Sequence, residues 1–255
     1  MIYFLSSIPR SGSTLLASLL EQREDTYVSP TSSLGALVKS FLALPNIPDV
    51  IFGMMNTRFN GKYADKKERY IFDKGRMWTD PKIIELVKRF QGQVKIVATV
   101  RPLVECIASF YLVEKTTMSI EKWMKESDTF MGLMQAYNDL KEGYENYPEC
   151  FCLVEYEDLC DATEHELDRI SDFIGSPYVS YHPTIEQVED NNLDNQWGIE
   201  GLHTLRPIIE RDTTDPRTVL GLDLYNKYTS WDFWTDTQKY QPWTYGESTK
   251  QFIEA

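Results

Sequence analysis

The sequence predicts an α/β fold with a doubly wound, mainly parallel five-stranded sheet and helices on both faces. Short apolar and β-branched runs alternate five times with segments in which apolar residues recur every three or four positions, up to residue 175. The fourth run is apolar at nearly every position, which is typical of a central parallel strand that helices cover on both sides. We predict strands at 2–5, 26–29, 70–73, 94–100 and 151–154.

Helices are predicted between and after these strands from amphipathic spacing and from terminal signals. Asp80 and Pro81 combine a capping side chain with a proline at the first helical position. Thr163 and Glu166 have the spacing of a capping box, and Gly175 suits the end of the same helix. Aromatic and methionine side chains at three- and four-residue steps favour one long core-packing helix before the fifth strand. The predicted helices start in the loop at 9–14 and cover 31–44, 80–90, 102–111, 119–147 and 163–174, with a further helix and loop over 46–69.

The apolar periodicity fades after residue 175, and the chain ends in a segment rich in Trp and Tyr. We find no internal repeat, and no low-complexity stretch separates this segment from the rest. The sequence therefore predicts a single domain over 1–255, in which residues 1–175 form the α/β core and residues 176–255 form a covering segment.

The composition limits the classes of partner. The formal net charge is −13, which disfavours nucleic acid and anionic membranes as partners because both need a basic surface. No segment reaches the length of a membrane span, and Arg10 interrupts the first apolar run too early for a signal peptide or an anchor. We therefore expect a cytoplasmic protein.

The four cysteines are expected to be reduced thiols. Cys150 and Cys152 lack the Cys and His neighbours of a zinc site, which favours two thiols on one face of a strand over a metal site. Free thiols are typical of a reducing compartment, and we expect no bound metal.

A stretch of small and hydroxyl residues joins the first strand to the first helix. Arg10 is followed by Ser11, Gly12, Ser13 and Thr14. The first N–H groups of a helix lack partners inside the helix and lie at the positive end of its dipole, so phosphate or sulfate binds there readily. Gly12 allows an anion to approach closely, the hydroxyls add donors, and Arg10 offers a planar fork. An ordinary turn would contain several of the same residues, so this stretch alone leaves both interpretations open.

Cations follow two other predicted strands. Lys74 and Arg76 flank a glycine after the third strand, and Arg101 ends the fourth. Ligands of open parallel sheets bind outside the carboxyl ends of the strands, so these side chains are expected to face the same crevice as Arg10. A solvated turn is the alternative interpretation for Lys74 and Arg76.

P-loop nucleotide-binding proteins also begin with a strand, a loop and a helix, so the loop of this chain can be compared with theirs. Alignment of Gly12 and Thr14 with the Walker A pattern puts Ser13 where that pattern has its lysine. Without the lysine the β- and γ-phosphates of ATP lose their main cation, and Asp73 is the one clear carboxylate for magnesium. A P-loop-type nucleotide kinase is therefore a weaker alternative, and a non-catalytic nucleotide-binding module is another.

Three ordered motifs resemble those of sulfotransferases that use 3′-phosphoadenosine 5′-phosphosulfate (PAPS). The stretch 9–16 is similar to the family's 5′-phosphosulfate loop, Pro-x-x-Gly-x-Thr-x-Leu. Arg101 and Ser109 keep the spacing of the Arg and Ser that hold the donor's 3′-phosphate in that family, and 156–159 is similar to its Tyr-Glu-Asp-Leu segment. Arginine rather than lysine at position 10 resembles the protein-tyrosine, carbohydrate and bacterial-type branches more than the small-molecule cytosolic branch.

The resemblance implies an enzyme with a P-loop-like fold that transfers a sulfuryl group from PAPS to a hydroxyl acceptor by in-line displacement. The product of the donor is 3′,5′-ADP (PAP), no metal is required, and the acceptor is a small-molecule, carbohydrate or peptide hydroxyl. Arg10 and Lys74 are given catalytic roles at the phosphosulfate. The residues expected to bind the donor are Arg10, Ser11, Gly12, Ser13, Thr14, Arg101, Ser109, Tyr156 and Arg206.

The resemblance does not supply a general base, because the positions after the second and third strands hold neither the Glu nor the His of the family. His203 is one candidate, since it lies in a segment, 201–206, that could fold over the site, and since an ordinary pKa of about 6.5 suits a base near neutrality. A structural or substrate-positioning role is the alternative for His203. Asp73 is the other candidate, with a structural ion pair to Lys74 as the alternative role of its carboxylate.

Overall fold

The computed structural model describes residues 1–32, 34–43, 49–178, 180–185, 194, 199, 201–203, 205–211 and 214–235. The predicted end of the second helix at residue 44 and the Trp- and Tyr-rich end of the covering segment after residue 235 lie outside these residues.

Five parallel strands in the order β2-β3-β1-β4-β5 form the sheet, which confirms the predicted doubly wound α/β fold. Strand β1 lies at the centre, where Leu5 is opposite Lys74 of β3 and Ser7 is opposite Thr99 of β4. This register brings the carboxyl ends of the three central strands to one edge of the sheet. The strands are β1 (Ile2–Ser7), β2 (Thr26–Val28), β3 (Tyr70–Lys74), β4 (Ile96–Val100) and β5 (Phe151–Glu155).

Helices cover both faces of the sheet because successive side chains of a strand point to opposite sides. Phe4 packs in the larger core cluster with residues of α2 to α7, whereas Leu5 packs in a second cluster with residues of α1 and α9. Two short 3₁₀ turns lie at Arg76–Thr79 and Pro148–Cys150. The helices are α1 (Ser13–Leu20), α2 (Gly35–Leu42), α3 (Asp49–Gly61), α4 (Pro81–Gln91), α5 (Leu103–Glu114), α6 (Ile120–Glu126), α7 (Asp128–Asn146), α8 (Tyr156–Asp161), α9 (Thr163–Ile174) and α10 (Pro216–Tyr228).

The predicted long helix over 119–147 is two helices. Ser127 ends α6 and caps α7, where its hydroxyl accepts hydrogen bonds from the N–H groups of Thr129 and Phe130. The apolar periodicity continues through this break, so spacing alone did not reveal it, although a serine is a favoured helix cap.

The predicted capping box of Thr163 and Glu166 is wrong. The Thr163 hydroxyl donates to the carbonyl of Leu159 in the preceding helix, and the Glu166 carboxylate pairs with Arg169. Both side chains are buried, and tertiary packing has therefore replaced the local capping interaction.

The cysteines also differ from the expectation. Cys150 lies in the 3₁₀ turn before β5 and packs in the larger core cluster, whereas Cys152 lies within β5 and packs in the second cluster. The two thiols therefore do not share one face of a strand. Burial raises the pKa of Cys106 to about 12 and that of Cys150 and Cys152 to about 11, so these groups are protonated at neutral pH.

Helix α10 was missed, although Asp215 and Pro216 repeat the signal that correctly predicted α4 at Asp80 and Pro81. The Asp215 carboxylate accepts the N–H of Arg217. The helix packs against α5, and it contributes buried side chains to the larger core cluster. Part of the expected covering segment thus belongs to the core.

Candidate active site

A cavity of about 700 Å³ opens at the carboxyl edge of β1, β3 and β4. Its floor is the loop between β1 and α1, and residues after β3 and β4 form the side walls. In a chain of net charge −13, the described lining includes six arginines or lysines and a single acid, Glu210. The cavity is thus a local site for anions on an otherwise acidic molecule. The lining cations are Arg10, Lys39, Lys74, Arg76, Arg101 and Arg206.

Gly12 gives the loop its shape at the start of α1. Its φ of 92° lies in the left-handed region, and a Cβ at this position would lie 2.7 Å from Cδ2 of Tyr156. The ring of Tyr156 therefore rests directly on the loop, and both residues line the cavity. Ser13 and Thr14 form the first turn of α1 beside them, with the positive end of the helix dipole toward the cavity.

Ser11 has a different place from its neighbours in the loop. Its side chain is fully buried, and its hydroxyl lies within hydrogen-bonding distance of the carbonyls of Ile8 (2.6 Å) and Thr99 (2.8 Å), which share its single proton, and of the Thr99 hydroxyl (2.7 Å). The residue does not line the cavity. Ser11 therefore fastens the loop to the end of β4, and its hydroxyl is not directed at a ligand.

Arg10 links the loop to two other parts of the molecule. Its Nε donates to the hydroxyl of Ser109 at 3.2 Å, and its Nη1 donates to the carbonyl of Leu202 at 2.5 Å. Its φ of 70° is unusual for a residue other than glycine, so the packing around it holds the backbone in a costly conformation. Ser109 itself is buried on α5 and reaches the cavity through this hydrogen bond.

Arg101 stands at the end of β4 with 4% of its surface exposed. Its Nε pairs with Glu105 at 2.8 Å, its Nη1 contacts the carbonyl of Arg10 at 3.4 Å, and its guanidinium lies 4.6 Å from the ring centre of Tyr156. Glu105 is one helical turn later on α5, a spacing that the sequence analysis did not use. The planar group is thereby held in one orientation at the wall of the cavity.

Lys74 and Asp73 are neighbours in β3 and face opposite sides of the sheet. The ammonium of Lys74 donates to the Thr14 hydroxyl at 3.3 Å, inside the cavity. The Asp73 carboxylate is fully buried among core residues and accepts hydrogen bonds from Tyr63 (2.6 Å) and Trp78 (3.0 Å). Burial raises the pKa of this carboxyl. Asp73 is therefore a structural residue, and its position fits none of the three roles considered for it, which were a magnesium ligand, a general base and an ion pair with Lys74.

The roof of the cavity comes from the covering segment. Thr184 and Ile208 form an antiparallel bridge, and the N–H of Ile185 donates to the carbonyl of Pro207. The hydroxyl of Tyr156 donates to the carbonyl of Glu210 at 3.3 Å and so ties the roof to the floor. Residues 201–203, which we call the covering turn, lie over the loop between β1 and α1, where Arg10 contacts them.

His203 is the titratable group of the covering turn that lines the cavity. Its Nδ1 lies 2.7 Å from Oδ1 of Asp194. Burial, together with the positive charges of Lys74 and Arg10, lowers the pKa of His203 despite the opposing effect of Asp194. The imidazole is thus neutral at neutral pH, as a proton acceptor must be.

Arg206 lies at the rim of the same roof. Its side chain is 56% exposed, lines the cavity and pairs with Glu210 at 3.4 Å. Among the predicted site residues it is therefore the one most open to water. The structure thus brings nine of the twelve candidate residues to one cavity, the exceptions being Ser11, Asp73 and Ser109.

A family model described as the sulfotransferase domain matches residues 3–197 of the chain. The chain belongs to the sulfotransferase domain family. Solved structures with a similar fold include a sulfotransferase from Alicyclobacillus acidocaldarius, with 16% identity, a TM-score of 0.52 and coverage of 77% of this chain and 90% of that one. The sulfotransferase domain from the curacin biosynthetic pathway has 18% identity, a TM-score of 0.54 and coverage of 98% and 94%. No curated protein sequence matches the chain.

The family match confirms the predicted activity class, since this sulfotransferase is an enzyme of sulfuryl transfer and a nucleotide kinase is not favoured. Members of the family generally use PAPS as the donor. Within the described residues, no three His, Cys, Asp or Glu side chains are grouped to hold a metal ion. No helix in the described ranges has the length and apolarity to cross a membrane.

Two polar partners in this sulfotransferase were missed by the sequence analysis. Glu105 could have been found from its position four residues after Arg101, in the first turn of α5, because that spacing brings a carboxylate within reach of the arginine at the end of β4. Asp194 had no such signal, because it lies nine positions before His203 in a stretch without apolar periodicity.

Proposed function

We propose that this sulfotransferase transfers the sulfuryl group of PAPS to a hydroxyl acceptor in the cavity at the carboxyl edge of the sheet. The observation that carries the proposal is that two anion-binding positions open into one cavity. The first is the N-terminus of α1 with Lys74, and the second is the buried guanidinium of Arg101. A donor with a phosphosulfate at one end and a 3′-phosphate on its ribose needs two such positions.

In this assignment the phosphosulfate binds at Gly12, Ser13 and Thr14, where backbone N–H groups and hydroxyls face the cavity. Lys74, which contacts Thr14, balances the charge that builds on the leaving phosphate. The 3′-phosphate binds Arg101, and the buried hydroxyl of Ser109 supports this position by accepting a hydrogen bond from Arg10. Tyr156 stacks between the two positions, on Gly12 and under Arg101.

PAPS supplies a sulfuryl group joined to phosphate as an anhydride. The acceptor oxygen forms a bond to sulfur as the bond between sulfur and the bridging oxygen breaks, and the electron pair leaves with the phosphate of PAP. The acceptor proton passes to Nε2 of His203, whose Nδ1 contacts Asp194. Arg10 takes part by holding the carbonyl of Leu202, next to the base, above the loop. The protein thus supplies positioning, fixed charge and one base.

The acceptor is assigned to the part of the cavity beside β3 and β2. Thr31, Ser32 and Met77 line that part, and Lys39 and Arg76 add positive charge. We propose a small-molecule, carbohydrate or peptide hydroxyl as the acceptor, and the cytoplasm as the compartment. The mixture of hydroxyl, apolar and cationic side chains suits a compound with both a polar and an apolar part.

Calorimetric titration with 3′,5′-ADP and 5′-AMP tests the donor assignment. We expect 3′,5′-ADP to bind without magnesium, and Arg101→Gln to weaken it on the order of 100-fold, because a buried charge-assisted contact is lost. The same variant should change 5′-AMP binding by less than about threefold. Arg89→Gln, a substitution on α4 beside Phe52, is the control for loss of an arginine elsewhere.

Equal losses of affinity for 3′,5′-ADP and 5′-AMP in Arg101→Gln would contradict the assignment of the 3′-phosphate to Arg101. Tight, magnesium-dependent binding of ATP in place of 3′,5′-ADP would favour a kinase. Incubation with sulfur-labelled PAPS and a panel of phenols, sugars and hydroxylated peptides then tests turnover. Binding of 3′,5′-ADP with no transfer to any member of that panel would favour a non-catalytic binding module.

A further inference from the structure

Asp194 uses both carboxylate oxygens to hold the covering turn. Oδ2 accepts the N–H of Gly201 at 2.9 Å, and Oδ1 accepts the N–H of His203 at 3.1 Å. Oδ1 also lies 2.7 Å from Nδ1 of the His203 ring. One side chain therefore fixes the backbone of the turn and the orientation of its imidazole.

These contacts determine which ring nitrogen carries the proton. An ionised carboxylate only accepts hydrogen bonds, so Nδ1 of His203 must be the donor in the contact with Asp194. Although partial burial works against it, hydrogen bonds from His203 and Gly201 hold the pKa of Asp194 below its ordinary value, which keeps the carboxylate ionised at neutral pH. In the neutral ring, Nε2 then holds the free lone pair.

Apart from Asp194, the surroundings of His203 disfavour protonation of its ring. Lys74 from β3 and Arg10 from the loop before α1 both act on the ring with positive charge, and burial acts in the same direction. Asp194 is the negative group in direct contact with it. When the ring accepts a proton, the carboxylate offsets part of this repulsion.

We propose that Asp194 is a positioning residue that fixes His203 in the Nδ1–H tautomer and directs Nε2 to the acceptor hydroxyl. This proposal rests on the proposed function, because the proton that His203 accepts comes from the acceptor hydroxyl. An asparagine would not replace the carboxylate. Its single acceptor oxygen cannot serve all three donors, and its NH₂ group can donate to Nδ1 and so favour the opposite tautomer.

Nitrogen NMR of protein labelled at histidine tests the proposal without an acceptor. The chain has three histidines, and His203→Gln identifies the signals of the third. In the wild type at neutral pH we expect the His203 proton on Nδ1. In Asp194→Asn we expect a shift toward the Nε2–H tautomer and a lower pKa of His203, because Lys74, Arg10 and burial still oppose protonation. Asp161→Asn, an exposed carboxylate paired with Arg211, is the matched control and should change neither quantity.

A wild-type His203 with its proton on Nε2, or a tautomer and pKa unchanged in Asp194→Asn, would overturn the positioning role. The wild-type spectrum gives this answer even if the variant does not fold. Titration of the same samples with 3′,5′-ADP separates the two proposals. Failure of the wild type to bind it would overturn the proposed function, whereas binding with the wrong tautomer would overturn only the role of Asp194.

Discussion

The loop at 8–14 and the covering turn meet across the cavity, and they are held in different ways. The loop is fixed from below by buried hydrogen bonds, since both Ser11 and the N–H of Ile8 donate to Thr99 at the end of β4. The covering turn has one buried side chain, Leu202, and its polar contacts to Asp194 and Arg10 are only partly buried. Buried hydrogen bonds are the harder ones to open.

The difference suggests a division of roles between the two regions. A loop fastened to the sheet provides a preorganised anion site, which determines how tightly the donor binds. If the covering turn carries the proposed base, it determines the rate of proton removal and contributes less to the affinity for the donor. Substitutions in the two regions should therefore separate binding from turnover.

The largest effect is expected for His203→Gln in the covering turn. We expect the transfer rate to fall by roughly 100- to 10,000-fold, as for loss of a general base, while 3′,5′-ADP binding changes by less than about threefold. In the wild type the rate should rise with pH through a midpoint lower than the pKa of a free histidine, because burial, Lys74 and Arg10 lower the pKa of His203. Transfer assays across pH with labelled PAPS measure both effects.

His182→Gln is the control for this prediction, because His182 is exposed on the surface and does not line the cavity. It should leave rate and pH profile unchanged. If His203→Gln instead lowered 3′,5′-ADP affinity as much as the rate, the covering turn would belong to the donor site, and the division of roles would not hold.

A smaller effect, on binding and stability, is expected for Gly12→Ala in the loop. The new Cβ would meet the Tyr156 ring at 2.7 Å, at a φ of 92° that disfavours side chains. Gly175→Ala at the end of α9 is the matched control, since its φ is 75° but nothing lies within 4 Å of the added atom. We expect a loss of about 1 kcal/mol in unfolding free energy for Gly175→Ala and about 2 to 3 kcal/mol for Gly12→Ala.

Urea unfolding measures the two free energies, and titration with 3′,5′-ADP measures the effect on the site. Gly12→Ala should weaken 3′,5′-ADP about tenfold, whereas Gly175→Ala should not change it. Equal losses of stability for the two variants would mean that Tyr156 moves aside freely, and the loop would then be less rigid than its hydrogen bonds indicate.

The sheet and the loop region could be predicted because their signals are local. A strand shows as a continuous apolar run, and the position of Arg101 at the cavity wall shows as a cation at the end of such a run. The same local rules also support two inferences that the sequence analysis did not make. Alternation along β3 already places Asp73 and Lys74 on opposite faces, and the Asp-Pro signal of α10 matches that of α4.

The arrangement of the roof could not be predicted in this way. Arg10 contacts Leu202 across 192 positions of sequence, and Asp194 contacts His203 across nine positions, a separation that no helical or strand spacing indicates. Such contacts depend on how the covering segment folds back over the sheet, and the periodicity of the sequence does not indicate this packing. The ordinary pKa of histidine was a reason to select His203, whereas the structure shows that burial, Asp194, Lys74 and Arg10 together shift the pKa of this ring.

The smallest effect is expected for Arg206→Gln, the test of whether the roof contributes to donor binding. Arg206 lines the cavity but is 56% exposed and already paired with Glu210. Water and salt screen such a charge, so we expect a loss of 3′,5′-ADP affinity of about three- to tenfold at low salt, which shrinks as salt is raised. Arg211→Gln is the control, because Arg211 lies in the same segment but pairs with Glu157 and Asp161. A loss as large as that of Arg101→Gln would make the roof an equal part of the donor site, whereas no loss would confine the donor to the sheet edge.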